Sequence, residues 1–359
     1  MYTNVFTGFP GFIATRLMEA CGKKGGSLAA LVLASEMESA EAAARRIEQQ
    51  TGCGQIRLLI GDITQEGLAL SEPDAAYLKG QELVFWHLAA IYDLAVPEAI
   101  AKKVNVEGTR HVNDFVKTLD GLKRYMYFST AYVAGKREGV ILEDELIRPA
   151  AFKNHYEETK FEAELLVEDL KAEIPVTIIR PGIVRGHSIT GETSKFDGPY
   201  FFMNMIERMK HMPLIPYIGH SNATINVVPI DYILDASIYL SSLDRAAGAT
   251  VHLTDPSPHP VEEVYRAMVR EMTGAYPKGR LPKKMAALSM SMPAVRKYLG
   301  VEAETLDYMD WHAKFDTRRA EALLAGSGIE CADFLETMPA MVAFYQKHKK
   351  DGKYHVAIK

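Results

Sequence analysis

Tyr156 and Lys160 stand four residues apart in the stretch "NHYEETKFEAE". On a helix that spacing brings both side chains to one face. An ammonium beside a phenol favours the phenolate and lowers a free pKa of about 10. Such a pair could give a proton to a carbonyl oxygen as negative charge develops on it. The same stretch holds Glu157, Glu158, Glu162 and Glu164. Those four are expected to form the solvated face of the helix, and Tyr and Lys among glutamates are also ordinary surface residues. The pair by itself therefore decides nothing, and the elements that would have to position it carry the argument.

A second stretch with chemical content is "TGFPGFIATRL" near the N-terminus. Gly8 and Gly11 sit where a short apolar strand runs into a helix, with Ala14 one turn further on. Small residues there let the backbone approach a pyrophosphate at the positive end of a helix. Thr7, Phe9, Pro10, Phe12 and Ile13 complete that turn. Asp62 and Ile63 in "GDIT" end another strand, where the carboxylate could accept from an adenine amino group or simply close a turn. The end of the second strand, "LVLASE", supplies neither a clear acid for a ribose diol nor an adjacent Arg for a 2′-phosphate.

Short apolar runs alternate with longer amphipathic stretches through the first half. The candidate strands are "NVF", "LAALVL", "IRLLI", "LVFWHL", "RYMYF" and "VTIIR", with helical stretches near 11 to 23, 38 to 50, 97 to 119 and 154 to 172. That order predicts an α/β fold, a Rossmann-type doubly wound parallel sheet. The dinucleotide-binding domain is expected over 1–180. "INVVP" and "TVHLT", within 225–254, are expected to return to the sheet. The remainder, 181–359, reads mainly as a smaller, mostly helical substrate lobe.

The 359 residues carry a net charge of -5, which excludes the basic footprint of a nucleic-acid binder. Three scattered cysteines and the lack of a signal peptide or of a long apolar run suit a reduced cytoplasm and no membrane span. His87, His111 and His155 lack ligand spacing, so no metal is expected. The tail "KHKKDGKYHVAIK" has five lysines against one aspartate. A solvated tail is the favoured reading, with weak contact to an anionic membrane surface as the alternative.

In their order and spacing "TGFPGFIA", "GDIT", "HLAA", "VNVEGT", "FSTAYVAG", "YEETK" and "IIRPGIVRG" resemble the extended short-chain dehydrogenase/reductase superfamily. The resemblance covers roughly residues 3 to 190. "STAYVAG", "GETSKFDGPYF" and "FDTRRAEALLAGSGIE" look most like its fatty acyl-CoA and thioester reductase branch. The resemblance implies Tyr156, Lys160 and Thr130 as the catalytic set, with Ser129 as helper and Asn105 as support. It implies a dinucleotide site that adds Leu88, Ala89, Ala90, Pro181, Gly182 and Ile183 to the residues above, with Lys160 reaching the nicotinamide ribose. NADP(H) is preferred by analogy with that branch, and NAD(H) is possible.

Tyr92 and Asp93 follow the fourth strand and are candidates to line the substrate side. "PYFFMNMIERMKHMPLIPY", beginning with Tyr200 after its Pro, could line a channel for an apolar or acyl substrate or pack the core of the smaller lobe. The leading expectation is an NAD(P)H-dependent reductase of a fatty aldehyde or acyl thioester, and a homodimer is a possible assembly. A 3-keto or 3-hydroxy lipid or sterol oxidoreductase is the enzyme alternative. A dinucleotide-sensing regulator without turnover is the alternative of another class. A dehydratase is disfavoured because Ala131 and Tyr132, not acids, follow Thr130.

Overall fold

Strand β1 (Thr3–Thr7) is buried on both faces, and the chain around it follows from that. Val5 faces one apolar core and Phe6 the opposite one, as a strand's period of two requires. A sheet buried on both sides must be covered by helices on both sides. The structure, a computed structural model, describes residues 2–92, 96–302 and 307–356.

From β1 the chain runs through α1 (Phe12–Lys23), β2 (Ser27–Val32), α2 (Met37–Thr51), β3 (Arg57–Ile60), α3 (Glu72–Lys79) and β4 (Leu83–His87). Next come α4 (Glu98–Ala101), a π-helical turn (Lys102–Glu107), α5 (Gly108–Val116), β5 (Leu122–Phe128), β6 (Gly139–Ile141), α6 (His155–Glu168) and β7 (Val176–Pro181). Beyond lie β8 (Ile183–Arg185), α7 (Tyr200–Met209), β9 (Tyr217–Ile218), β10 (Val227–Pro229), α8 (Ile230–Ser242) and β11 (Thr250–Leu253). The last part holds α9 (Val261–Thr273), β12 (Arg280–Leu281), α10 (Lys283–Met290), α11 (Pro293–Leu299), β13 (Ala313–Phe315), α12 (Arg318–Leu324) and α13 (Phe334–His348).

Seven strands form one sheet in the order β11-β7-β5-β4-β1-β2-β3. Every pairing in it is parallel. The order reverses between β1 and β4, and in such sheets ligands bind outside the strand ends at that switch point. Helices α1, α2, α8 and α12 cover one face, and α3, α5 and α6 the other. A further core gathers α7, α9 and α13 with residues of α10, giving the smaller lobe.

Two expectations about the second half meet different outcomes. "TVHLT" does return, as edge strand β11 beside β7. "INVVP" does not: β10 pairs with β8 in a two-stranded sheet of its own, because the chain leaves the main sheet at Gly182 and carries β8 towards the smaller lobe. The basic tail is not simply solvated either. Tyr354 is buried, its ring stacks on Phe196 at 5.1 Å, and its carbonyl accepts from the Phe196 N–H at 2.7 Å. Among the described residues no helix is long and apolar enough to cross a membrane.

Candidate active site

The turn between β1 and α1 is built for close approach. Gly8 has φ +84°, and a Cβ there would fall 2.8 Å from the Ala89 nitrogen. A Cβ on Gly11 would fall 2.6 Å from the Gly8 carbonyl oxygen. Helix α1 starts at Gly11 with no side-chain cap, so its first N–H groups open onto the cavity that Gly11, Phe12, Ile13 and Ala14 line. Unsatisfied donors and a positive helix end suit a pyrophosphate. Behind the turn, Thr7 Oγ1 accepts from the Leu88 and Ala89 N–H groups at 3.2 and 3.1 Å. That bond fixes the end of β4 against the end of β1.

One cavity of about 770 Å³ runs from this turn in both directions. Towards the ends of β2 and β3 it is lined by Leu33, Glu36, Asp62, Ile63 and Thr64. Asp62 Oδ1 accepts from the Thr64 N–H at 2.8 Å, so this carboxylate closes a turn while also lining the cavity. Glu36, past the end of β2, is an acid that the sequence reading left unassigned. In the other direction lie Leu88, Ala89, Ala90, Tyr92, Ser129, Thr130, Tyr156, Pro181, Gly182 and Ile183. The described part of the molecule thus brings nearly all the expected cofactor and catalytic positions to one cavity. Asp93 lies outside the described residues.

Thr130 lies two residues past β5 and opens a short 3-10 turn, where its Oγ1 accepts from the Tyr132 N–H at 3.3 Å. Tyr156 is in the first turn of α6, a helix capped by Asn154 through the Glu157 N–H at 2.9 Å. Cap and turn bring Thr130 and Tyr156 to the wall of the same cavity. Burial, reinforced by the Glu157 carboxylate, holds the phenol above its ordinary pKa, with the nearby Thr130 hydroxyl opposing them. The Tyr92 ring stands edge-on to Tyr156, 5.1 Å between centroids.

Lys160 does not reach for Tyr156. Its Nζ donates to the Tyr127 hydroxyl at 3.0 Å and to the Phe128 carbonyl at 2.7 Å. Burial lowers its pKa to about 7, against the opposing pull of Glu164. The sequence rule of four residues gives the shared face correctly, yet a four-carbon side chain turns to the buried acceptors within reach. Ser129 is also committed: its hydroxyl donates to Glu164, which pairs with Arg180 through Nε at 2.8 Å. Asn105, on the π-helical turn, accepts from the Ile91 N–H at 2.9 Å and donates to Thr159 Oγ1 at 3.0 Å. It therefore ties the loop after β4 to α6.

Several site features were not read from the sequence. Glu157 and Glu164 are fully buried, a correction to the solvated face expected of them. Glu157 accepts from the Tyr308 hydroxyl at 2.8 Å and lies 3.6 Å from Lys153 Nζ. That ammonium sits 3.6 Å from the centre of the Trp311 ring. Tyr308 and Met309 close the cavity from a part of the chain about 150 residues past Tyr156, and no local pattern marks them. Tyr200 faces the core of the smaller lobe, where its hydroxyl accepts from the Gly186 N–H at 3.2 Å. Its neighbours Phe201 and Phe202 line the cavity instead. His87 is buried and pushed down to about 3 by desolvation, hence neutral, between Thr7 and Thr109.

A family model for the male sterility protein, an NAD-binding domain, matches residues 6–237. The chain belongs to that family. This male sterility family member is an extended short-chain dehydrogenase/reductase of the fatty acyl-CoA and thioester reductase branch, and its family is one of NAD(P)-dependent oxidoreductases. It is 25% identical over 244 residues to an alcohol-forming fatty acyl-CoA reductase of Simmondsia chinensis, covering 51% of this chain and 48% of that protein. It is 25% identical over 291 residues to a putative fatty acyl-CoA reductase of Drosophila melanogaster, covering 68% of this chain and 56% of that one. The chain thus spans about half the length of these relatives. The crystal structure of the terminal R domain from the myxalamid PKS-NRPS biosynthetic pathway shares the fold with a TM-score of 0.82 at 25% identity, covering 97% of this chain and 91% of that one.

Proposed function

We propose that this protein is a reductase of an apolar aldehyde or acyl thioester that uses a nicotinamide dinucleotide. The observation that carries the reading is that Thr130 and Tyr156 line one cavity together with the glycine turn of α1. The bound nicotinamide supplies the hydride. Thr130 orients the substrate oxygen, and Tyr156 gives its proton as charge develops there. A phenol held protonated by burial is suited to the donor role in reduction. Asn105 holds the loop that carries Ile91 against α6, and with it the wall of the cavity.

Phe201, Phe202, Ile225 and Met309 line the substrate end, and their apolar surface supports an alkyl or acyl chain over a sugar. Lys195, at the same end, lies 3.1 Å from Asp197. For the dinucleotide, Glu36 supports NAD(H). A carboxylate in the turn after β2 can accept from a ribose diol and repels a 2′-phosphate. That reading departs from the NADP(H) preference implied by the branch.

The test is consumption of NADH and of NADPH by the purified chain against acyl-CoAs, long-chain aldehydes and 3-keto lipids, with the Tyr156→Phe variant in parallel. Turnover of an aldehyde or thioester that the variant loses is the expected result. A parent that binds the dinucleotide and turns over nothing in the panel would overturn the reading.

A further inference from the structure

The smaller lobe exposes an apolar surface rich in basic residues. Between Gly274 and Gly300 the sequence carries Lys278, Arg280, Lys283, Lys284, Arg296 and Lys297 and no Asp or Glu. The chain as a whole has a net charge of -5, so the positive charge is concentrated here. From Arg208 to Asn226 there is again no acid. The two stretches are joined in space. Strand β12 pairs with β9, the Lys278 N–H donates to the Ile215 carbonyl at 2.9 Å, and the Arg208 guanidinium lies over the Tyr298 ring at 5.6 Å.

The same surface leaves large apolar side chains in solvent. Leu214, Tyr276, Met285, Leu288, Met292 and Tyr298 are all at least half exposed, Leu288 at 72%. Helix α10 shows why this is more than packing. It buries Ala286 and Met290, four apart, against the lobe, and turns Met285 and Leu288, three apart, outward. One side suffices for its burial, while the second apolar side stands largely in solvent. Arg280 and Lys283 are paired with Glu262 and Asp310, whereas Lys278, Lys284 and Lys297 are exposed on the acid-free stretch.

We propose that this face, α10 and α11 with the turns beside them, is a docking surface for an anionic lipid bilayer. Long apolar side chains between lysines match the acyl boundary and the charged headgroups of such a surface. Acidic headgroups answer the exposed Lys278, Lys284 and Lys297, which stand on a stretch without acids. The surface also lies behind the substrate end of the cavity: Met290 shares a core with Met309, and α11 packs on α7, whose Phe201 and Phe202 line the cavity. An apolar substrate drawn from a bilayer would have a short way to go. Docking is separate from the reductase reading, since it concerns the outer face alone and is measured without turnover.

The experiment is flotation of the purified chain with vesicles of phosphatidylcholine alone or mixed equally with phosphatidylglycerol, at low and high salt. The protein is expected to float with the anionic vesicles at low salt and to be released by high salt. Lys284→Glu with Lys297→Glu should weaken this by about tenfold or more. Leu288→Asp with Met292→Asp should abolish it. Lys79→Glu, on α3, should leave it unchanged, and thermal melts of each variant report folding. Failure of the parent to float with anionic vesicles at low salt would overturn the proposal and leave an acidic protein as the partner. Undiminished flotation of the Lys284→Glu, Lys297→Glu variant would overturn it as well, whatever the fate of the apolar double variant.

Discussion

Lys160 gives its ammonium to the Tyr127 hydroxyl, 3.0 Å away on β5, and not to Tyr156 one turn before it on the same helix. The lysine is thereby buried with a pKa lowered to about 7. A group whose folded value lies below its unfolded one, near 10.5, binds fewer protons folded than unfolded between the two. The stability cost of burying it is full below about pH 7 and fades as pH rises towards the unfolded value. Lys160→Met should therefore raise the melting temperature most at pH 6 and least near pH 10, while removing activity. An equal shift at both pH values would show that the amine is not the buried, titrating group described.

Tyr156→Phe deletes the proposed proton donor and keeps the ring against Tyr92. Turnover should fall by about a hundredfold to ten-thousandfold, with dinucleotide affinity and melting temperature nearly unchanged. Thr130→Val should act similarly on kcat, with a further small loss of stability because its oxygen also caps the turn at Tyr132. Thr130→Ser should restore most of both. Steady-state kinetics with fluorescence titration of the dinucleotide separates these effects, and a Thr130→Val enzyme with normal kcat would remove Thr130 from the chemistry.

Glu36 sets the third prediction. The parent is expected to bind NADH more tightly than NADPH, and Glu36→Gln should narrow the gap by about tenfold by removing the charge that a 2′-phosphate would face. Tighter binding of NADPH by the parent in a direct titration would contradict the role given to this carboxylate.

Gly8→Ala tests the phosphate turn. At φ +84°, with a Cβ 2.8 Å from the Ala89 nitrogen, alanine must displace the end of β4 or abandon the turn, at a cost of roughly 1–3 kcal/mol. Loss of dinucleotide binding with a lowered melting temperature is expected. Gly25→Ala, which also has positive φ but no neighbour within 4 Å of the added Cβ, should lose stability and keep binding.

The sheet was readable from the sequence because its parallel strands, most of them buried on both faces, leave short apolar runs, and six such runs became β1 to β5 and β7. The glycine turn was readable for a related reason: close backbone approach excludes a Cβ wherever the fold places it. Tyr156 and Thr130 were legible through local motifs on elements that abut in this topology. The direction of Lys160, the burial of Glu157 and Glu164, and the closure of the cavity by Tyr308 and Met309 were not. Each depends on partners 16 to 151 residues away in the chain, and a flexible or charged side chain takes its place from whatever buried acceptors and donors the folded chain brings beside it. The sequence by itself determined the short glycine turn after β1 and marked Thr130 and Tyr156 as candidates that the fold brings to the same cavity. Tertiary packing alone decided where the charges point, because only there do desolvation and specific hydrogen bonds compete.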